Sequence, residues 1–375
     1  MYEFAKWSRG VLVYGFITAM RHLPASWITL GAARGIYSEL DRLKSRQVTG
    51  KVIASSQDVS TLTLDSLRKV ANLGQEGHQP WPIFWTLQKN ARLVGSTLAL
   101  RDRQKQLALE AVYDVHGAKD PANTLVGLPK SKRLTGNWTS LVSLWCCRET
   151  YFNYYHWLMD GLPRLAALSH FPSDTRILVP HNLPKFCWDA LRFLNLEDRV
   201  RETSERHLEI DNYFFSSPTA MTGCENPYAI EFLRRNFLPA ADQSYHGPQK
   251  FYIRRKGKTR GFHREDSLFE ILQQKKWEVI DLEELTFAQQ IALFSQARAI
   301  IGAHGAGFTN LAWCQPGCVA MELFASSFLN GCYESIASCV RVHHQYRIYP
   351  ADEHSLITIE NEQFEEMLVK IDSEV

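Results

Sequence analysis

Short apolar runs alternate with amphipathic stretches along the second half of the chain. The apolar runs typical of buried strands are 251–254, 279–282, 299–303 and 319–324. Between them, Ser267–Trp277 carries apolar residues at helical spacing, and Thr286 with Gln289 forms a capping box before another apolar helical stripe. Strands that alternate with helices of this length predict parallel βαβ units.

A glycine-rich turn follows the apolar run at 299–303 and precedes a short helix predicted over Phe308–Cys314. Glycines let backbone N–H groups approach a ligand closely, and a helix N-terminus attracts anions. His304 lies within this turn, beyond the carboxyl end of a predicted strand, where ligands bind in parallel sheets. The turn therefore favours a phosphate site, with a plain tight turn as the alternative.

Several segments resemble glycosyltransferase family 61 in sequence and in order. They are Asn153–Asp160, Phe251–Arg255, Arg260 with Glu265, Gln289–Ile291, His304–Asn310 and Met321–Leu323. The resemblance implies an inverting glycosyltransferase with the α/β fold called GT-B, in which two facing Rossmann-like domains with parallel sheets enclose a cleft. The asparagine that usually precedes Glu265 in the family is replaced here by Arg264.

The resemblance and the composition together predict four segments. They are an N-terminal helical segment (1–57), a Rossmann-like acceptor domain (58–239), a Rossmann-like nucleotide-sugar domain (250–350), and a C-terminal helix (351–375) that packs back on the N-terminal domain. The polar stretch 238–249, which contains two prolines, marks the boundary. Strands at 141–145 and 177–180 are predicted in the acceptor domain.

Charge and cysteine usage narrow the class of protein. A net charge of +2 predicts no strong attraction to nucleic acid. The eight cysteines show no C-x-x-C spacing, so they do not indicate structural zinc. With no clear secretory signal, we expect reduced thiols in a cytoplasmic protein.

The apolar run Gly10–Met20 is shorter than the roughly 20 residues that span a bilayer. Three interpretations remain open for it: a packing helix, a helix lying on a membrane that carries a lipid-linked acceptor, or a signal segment. The second would make the protein peripheral at the inner face of the membrane.

His156 and Asp160 are the candidate catalytic residues. Their spacing places them on one face of a helix. In one interpretation Asp160 orients His156, which is the base that deprotonates the acceptor. In another Asp160 is the base and His156 positions the sugar or the acceptor. A structural histidine is the third.

Binding of the donor diphosphate requires cations or N–H donors. The chain contains no D-x-D motif, so the sequence predicts no metal site and no cofactor beyond the donor substrate, with a UDP-sugar expected first. The candidate donor-binding residues are Arg254, Arg260, His304, Gly305, Ala306, Gly307, Asn310 and Glu322. Glu322 would bind ribose hydroxyls or pair with an arginine, and Asn310 would contact the donor or cap the loop.

The resemblance, together with the missing D-x-D motif, therefore implies an inverting, metal-independent glycosyltransferase of polysaccharide or glycolipid biosynthesis, similar to capsular enzymes and to O-GlcNAc and xylosyl transferases. Its partners would be a nucleotide-sugar donor and a glycan or lipid-linked glycan acceptor. A non-catalytic scaffold of the same fold is the main alternative. A nicotinamide enzyme is disfavoured because the turn at 302–307 is not G-x-G-x-x-G. The sequence specifies neither the sugar nor the acceptor, linkage or oligomeric state.

Overall fold

The computed structural model describes residues 50–54, 83–95, 98–101, 131–142, 147–148, 151–221, 223–256 and 260–375. These residues form an α/β fold with two large sheets and two short strand pairs. In chain order, the strands of the first half are β1 (Gly50–Ala54), β2 (Ile83–Val94), β3 (Ala99–Arg101), β4 (Lys132–Ser140), β5 (Cys147–Arg148), β6 (Tyr151–Phe152), β7 (Arg176–Pro180), β8 (Val200–Thr203), β9 (His207–Ser216), β10 (Ala220–Met221) and β11 (Cys224–Glu225).

The C-terminal sheet is entirely parallel. Its strands are β12 (Lys250–Ile253), β13 (Glu278–Ile280), β14 (Ala299–Ala303), β15 (Val319–Ala325) and β16 (His343–Tyr349), and their order across the sheet is β13-β12-β14-β15-β16. The chain order reverses between β12 and β14, which is where doubly wound sheets bind ligands. The prediction of parallel βαβ units is confirmed for this half.

Helices cover both faces of the C-terminal sheet, and successive side chains of a strand point to opposite faces. Phe251 and Ile253 belong to the core on one face, whereas Tyr252 belongs to the core on the other. The helices of this half are Glu265–Gln274, Phe287–Ser295, Cys332–Val340 and Asn361–Asp372, with 3₁₀ turns at Leu282–Glu284 and Ala306–Trp313. The predicted capping box of Thr286 and Gln289 is present.

The N-terminal sheet differs from the predicted parallel one because it is mixed. Its order is β1-β2-β9-β4-β7-β8, with β3 on β2. The pairs among β9, β4, β7 and β8 are parallel, whereas those among β1, β2, β3 and β9 are antiparallel. This sheet is therefore only partly Rossmann-like.

Helices of the first half connect the two sheets through one continuous core. They are Tyr154–His156, the π-helical turn Trp157–Gly161, the 3₁₀ helix Leu162–His170, Lys185–Phe193, the 3₁₀ turn Glu197–Arg199, Pro227–Phe237 and the 3₁₀ turn Leu238–Ala240. Phe237 packs edge-on against both Phe287 and Trp313. Trp157 belongs to the same buried cluster, so apolar burial joins the two halves.

The last helix corrects one prediction. Asn361–Asp372 packs on the C-terminal sheet, since Phe364 and Leu368 lie in the core that contains Tyr252. Among the residues that the structure describes, none of the N-terminal domain belongs to that core. Lys275 pairs with Glu365 at 2.6 Å, and Lys250 pairs with Asp372 at 2.8 Å. The helix thus fills the apolar face that the Glu265–Gln274 helix leaves uncovered.

Other predictions meet the structure only in part. Within the segment 1–57, residues 50–54 form a strand and not a helix; residues 1–49 and 55–82 lie outside the described residues. The strand predicted at 177–180 is present as β7. The strand predicted at 141–145 is not found at its first two residues, because β4 ends at Ser140, and residues 143–146 are not described. The described helices include none long and apolar enough to cross a membrane. Among the described cysteines, five are free thiols: Cys187, Cys314, Cys318, Cys332 and Cys339.

Candidate active site

A cavity of about 830 Å³ lies at the carboxyl ends of β12 and β14, and both halves of the chain line it. His156 and Tyr155 border it from the first half. His304, Gly305 and Arg255 border it from the second. The sequence motifs around positions 156 and 304 therefore meet at one site, at the point where the strand order of the C-terminal sheet reverses.

His156 and Asp160 form a hydrogen-bonded pair at the cavity wall. The distance from His156 Nδ1 to Asp160 Oδ2 is 2.6 Å. The His156 side chain is 12% exposed and lines the cavity, whereas Asp160 is 2% exposed and does not. The ring can therefore meet a substrate, and the carboxylate lies behind it.

Local backbone structure brings this pair together. The Asn153 side chain caps the helix by accepting a hydrogen bond from the His156 N–H at 3.3 Å. The chain then widens into the π-helical turn Trp157–Gly161, a rare geometry that is frequent at functional sites. Burial raises the pKa of Asp160, and the interaction with His156 and the positive charge of Arg164 oppose that rise.

His304 belongs to a buried polar chain. Its backbone N–H donates to the Leu323 carbonyl at 2.9 Å, which fixes the turn against β15. Its Nδ1 hydrogen-bonds Glu322. The second oxygen of Glu322 lies 2.8 Å from Nε2 of His344.

The position of Glu322 contradicts its predicted contact with ribose. The side chain is fully buried, does not line the cavity, and pairs with two histidines and not with an arginine. Burial alone would raise the pKa of Glu322, but hydrogen bonds and charge from His304 and His344 outweigh burial and hold it below the usual value.

Asn310 is also buried and does not border the cavity. Its Nδ2 donates to the Gly307 carbonyl at 3.2 Å and to Gln290 at 3.0 Å. Its Oδ1 accepts from Tyr154 Oη at 2.7 Å and from Trp313 Nε1 at 2.9 Å. Of the two predicted roles, the structure places Asn310 in the one that holds the loop.

The glycine turn packs closely on its neighbours. A Cβ at Gly302 would lie 3.1 Å from both the Cβ and the carbonyl oxygen of Ile253. A Cβ at Gly307 would lie 2.7 Å from a methyl of Leu282. Gly305, Ala306 and Gly307 all border the cavity, at the start of the Ala306–Trp313 helix. Helix N-termini of this kind present N–H groups to anions.

Arginines surround the turn, and the closest one is Arg255. Its Nη1 donates to the His304 carbonyl at 3.2 Å, and a Cβ on Gly305 would lie 2.1 Å from the same atom. Arg254 borders the cavity, but its guanidinium lies over Phe269 and 3.8 Å from Glu265. Arg260 borders the cavity and stacks on the Phe328 ring at 4.5 Å.

The alternation of side chains along β12 distinguishes Arg255 from Arg254. Phe251 and Ile253 share one face of β12, so the next residue on that face is Arg255; Arg254 follows Tyr252 on the other face. Burial lowers the pKa of the Arg255 guanidinium, and nearby Arg260 lowers it further. The positive charges of Arg255 and Arg260 therefore lie within range of each other at the cavity.

Two tyrosines connect the histidines of the two halves. Tyr155 meets the His156 ring edge-on at 4.8 Å between centroids and Tyr333 at 5.9 Å. Tyr333 in turn lies 5.0 Å from the His304 ring. Sequence reasoning did not single out Tyr333, since nothing in the Cys332–Val340 helix marks it as different from a core aromatic.

Comparisons with known proteins match the part of the chain that contributes residues to this cavity. The family model described as Glycosyltransferase 61 matches residues 154–321. The resemblance to glycosyltransferase family 61 is therefore confirmed over that segment. It includes His156, Asp160, Arg254, Arg255 and His304, and it ends one residue before Glu322.

A curated protein of Drosophila melanogaster, named EGF domain-specific O-linked N-acetylglucosamine transferase, is 29% identical over 154 residues. The alignment covers 37% of this chain and 29% of that protein. The chain thus matches less than a third of this relative.

Among the residues that the structure describes, no group of three or more His, Cys, Asp or Glu side chains is arranged to hold a metal ion.

Proposed function

We propose that this chain is an inverting glycosyltransferase that moves a sugar from a nucleotide-sugar donor to a hydroxyl of a glycan or lipid-linked glycan. One observation carries the proposal: a histidine backed by a buried carboxylate and a cationic glycine turn border the same cavity. The first supplies a base for the acceptor, and the second supplies a site for the leaving diphosphate. The family match supports it.

In this mechanism His156 is the base, and Asp160 orients it. Asp160 engages Nδ1, so Nε2 is the nitrogen that takes the proton of the acceptor hydroxyl. The acceptor oxygen attacks the anomeric carbon from the face opposite the diphosphate, and the bond from that carbon to the phosphate oxygen breaks. The electron pair leaves with the diphosphate, and Asp160 stabilises the imidazolium that forms on His156.

The departing diphosphate gains negative charge during the reaction. We assign its stabilisation to Arg255, Arg260 and His304, together with the N–H groups at the start of the Ala306–Trp313 helix. Arginine's planar fork suits phosphate oxygens. Under this assignment the reaction is metal-independent, and Arg254 shapes the site through Glu265 and Phe269 more than through the ligand.

The cleft between the two halves is consistent with a GT-B arrangement, which we include in the proposal. The relative's name mentions N-acetylglucosamine, so UDP-N-acetylglucosamine is the first donor to test. We further propose a role in polysaccharide biosynthesis such as capsule assembly, in the cytoplasm or at the inner face of the membrane, where nucleotide sugars meet lipid-linked acceptors.

A thermal-shift panel tests the donor site. A ligand that binds only the folded state raises the melting temperature. We expect UDP to stabilise the protein equally with and without EDTA, and Arg255→Ala or His304→Ala to abolish the effect. Arg347→Ala is the matched control, because Arg347 is an exposed arginine on β16 that does not border the cavity.

Two results would redirect the proposal. Stabilisation by UDP without any donor turnover would favour a non-catalytic scaffold of the same fold. No stabilisation by UDP, GDP or CMP would contradict the donor-site assignment.

A further inference from the structure

Four side chains form a continuous chain behind the cavity: the buried side chains of His304, Glu322 and His344, and Glu334, whose side chain is 20% exposed. Glu322 lies on β15, His344 on the neighbouring strand β16, and Glu334 on the Cys332–Val340 helix. His344 Nε2 lies 2.8 Å from Glu322, and its Nδ1 lies 2.5 Å from Glu334. The His344 side chain is only 4% exposed.

Contacts on both sides of the ring indicate the charge of His344. Its Nε2 is hydrogen-bonded to Glu322, and its Nδ1 lies within ion-pair distance of Glu334, so a carboxylate oxygen lies close to each ring nitrogen. Burial would lower the pKa of His344, but hydrogen bonds and charge from Glu322 and Glu334 outweigh it and raise the pKa to about 9. His344 is thus a buried cation that holds Glu322 ionised.

The ionised state of Glu322 matters for His304. An ionised carboxylate accepts hydrogen bonds only, so Glu322 requires the proton of His304 to be on Nδ1. The other ring nitrogen, Nε2, is then the one that can act toward the cavity. Cys332 and Tyr333 also lie within range of the Glu322 charge, but neither carries a positive charge that could replace His344.

We propose that His344 is a positioning residue that acts through Glu322 to fix the tautomer and orientation of His304, with Glu334 holding His344 from the far side. The inference rests on the proposed function, in which His304 contacts the donor diphosphate. The contacts among His344, Glu322 and His304 can, however, be tested without any ligand.

Nitrogen-15 NMR of the histidine-labelled full-length chain tests the buried chain directly. At pH 7.5 and without ligand, we expect both His344 nitrogens to show imidazolium shifts. We expect His344→Phe to change the His304 signals, because Glu322 then loses its cation. The matched control His343→Phe alters the preceding residue of β16, which is 62% exposed, and should leave His304 unchanged. A neutral His344, or His304 signals that His344→Phe does not alter, would overturn the inference.

The pH profile of UDP binding gives a second readout. Without His344, His304 alone offsets the burial of Glu322, so Glu322 takes up a proton at higher pH. We expect the acid limb of UDP binding to move up by about one pH unit or more, and the affinity for UDP to fall within the pH range over which Glu322 takes up its proton. His344→Gln keeps a donor to Glu322 without the charge and serves if the phenylalanine variant does not fold.

The two proposals fail in different ways. If wild-type protein binds no nucleotide, the proposed function fails, and the NMR result alone decides whether His344 holds His304. If UDP binds and the acid limb is the same in folded His344→Phe or His344→Gln as in wild type, the positioning role is wrong and the proposed function stands.

Discussion

The hydroxyl of Tyr154 donates a hydrogen bond to Oδ1 of Asn310, at 2.7 Å across 156 positions of sequence. Tyr154 precedes Tyr155 and His156 at the cavity wall. Asn310 holds the carbonyl of Gly307 in the glycine turn. The bond therefore ties the helix that carries His156 to the glycine turn, and burial that raises the pKa of Tyr154 keeps the hydroxyl protonated as a donor.

We expect Asn310→Ala to destabilise the fold more than Tyr154→Phe. The alanine leaves the buried donors of Tyr154 and Trp313 without their acceptor, at about 1–3 kcal/mol for each. Tyr154→Phe removes one hydrogen bond, at about 1 kcal/mol. Urea unfolding measures both free energies. Equal, small losses would show that Asn310 does not connect the two halves.

Asp160→Asn should lower kcat far more than it changes donor affinity. The amide retains the shape of the carboxylate but does not stabilise the imidazolium of His156, so we expect a loss of about 10²- to 10⁴-fold. Donor turnover and calorimetric UDP binding separate the two effects. Asp372→Asn, at an ion pair on the last helix, is the control that should leave both unchanged. A loss confined to binding would assign Asp160 to the donor site.

Arg255→Lys should weaken UDP binding although it keeps the positive charge. Lysine lacks the planar fork that reaches both the His304 carbonyl and a phosphate oxygen, so we expect a loss of about tenfold or more. Arg254→Lys should cost less, because Arg254 faces Phe269 and Glu265. Calorimetry with UDP gives both values. The reverse order would make Arg254 the principal ligand, as the sequence first indicated.

Glu225 makes stability depend on pH. Burial raises its pKa from 4.5 to about 7, despite hydrogen bonds from Ser335 and Tyr155. Between these pH values the folded state holds a proton that the unfolded state releases, so the free energy of unfolding falls as pH rises. The loss approaches roughly 3 kcal/mol above pH 7.

Glu225→Gln removes this titration. We expect its melting temperature to vary less between pH 5 and 8 than that of the wild type, and to be higher at pH 8. Glu278→Gln changes an exposed carboxylate on β13 and should retain the wild-type slope. If Glu225→Gln also keeps the wild-type slope, the buried carboxyl is ionised throughout this range.

The C-terminal sheet was predictable because its central strands are apolar on both faces. Residues 299–303 and 319–325 are buried throughout, and strands buried on both faces are recognisable in sequence as nearly continuous apolar runs. The mixed N-terminal sheet was not predictable, because β9 inserts between β2 and β4. That pairing depends on contacts distant in sequence and not on local pattern.

The candidate site shows the same limit. Sequence reasoning singled out His156, Asp160 and His304, which lie in compact motifs, and the structure brings His156 and His304 to one cavity. It assigned Glu322 to the ligand, because the carboxylate was visible within an apolar strand but its partner His344, on another strand, was not. It passed over Arg255, although strand alternation favoured that residue over Arg254.

In the proposed mechanism, His156 activates the acceptor in a cavity that binds the donor diphosphate. Release of UDP from UDP-N-acetylglucosamine and other UDP-sugars, with water as acceptor, tests this role in wild type and His156→Gln at equal UDP occupancy. We predict release by the wild type and a loss of about 10²-fold or more in the variant, with unchanged UDP affinity. Release at the wild-type rate by His156→Gln would show that His156 is not the base.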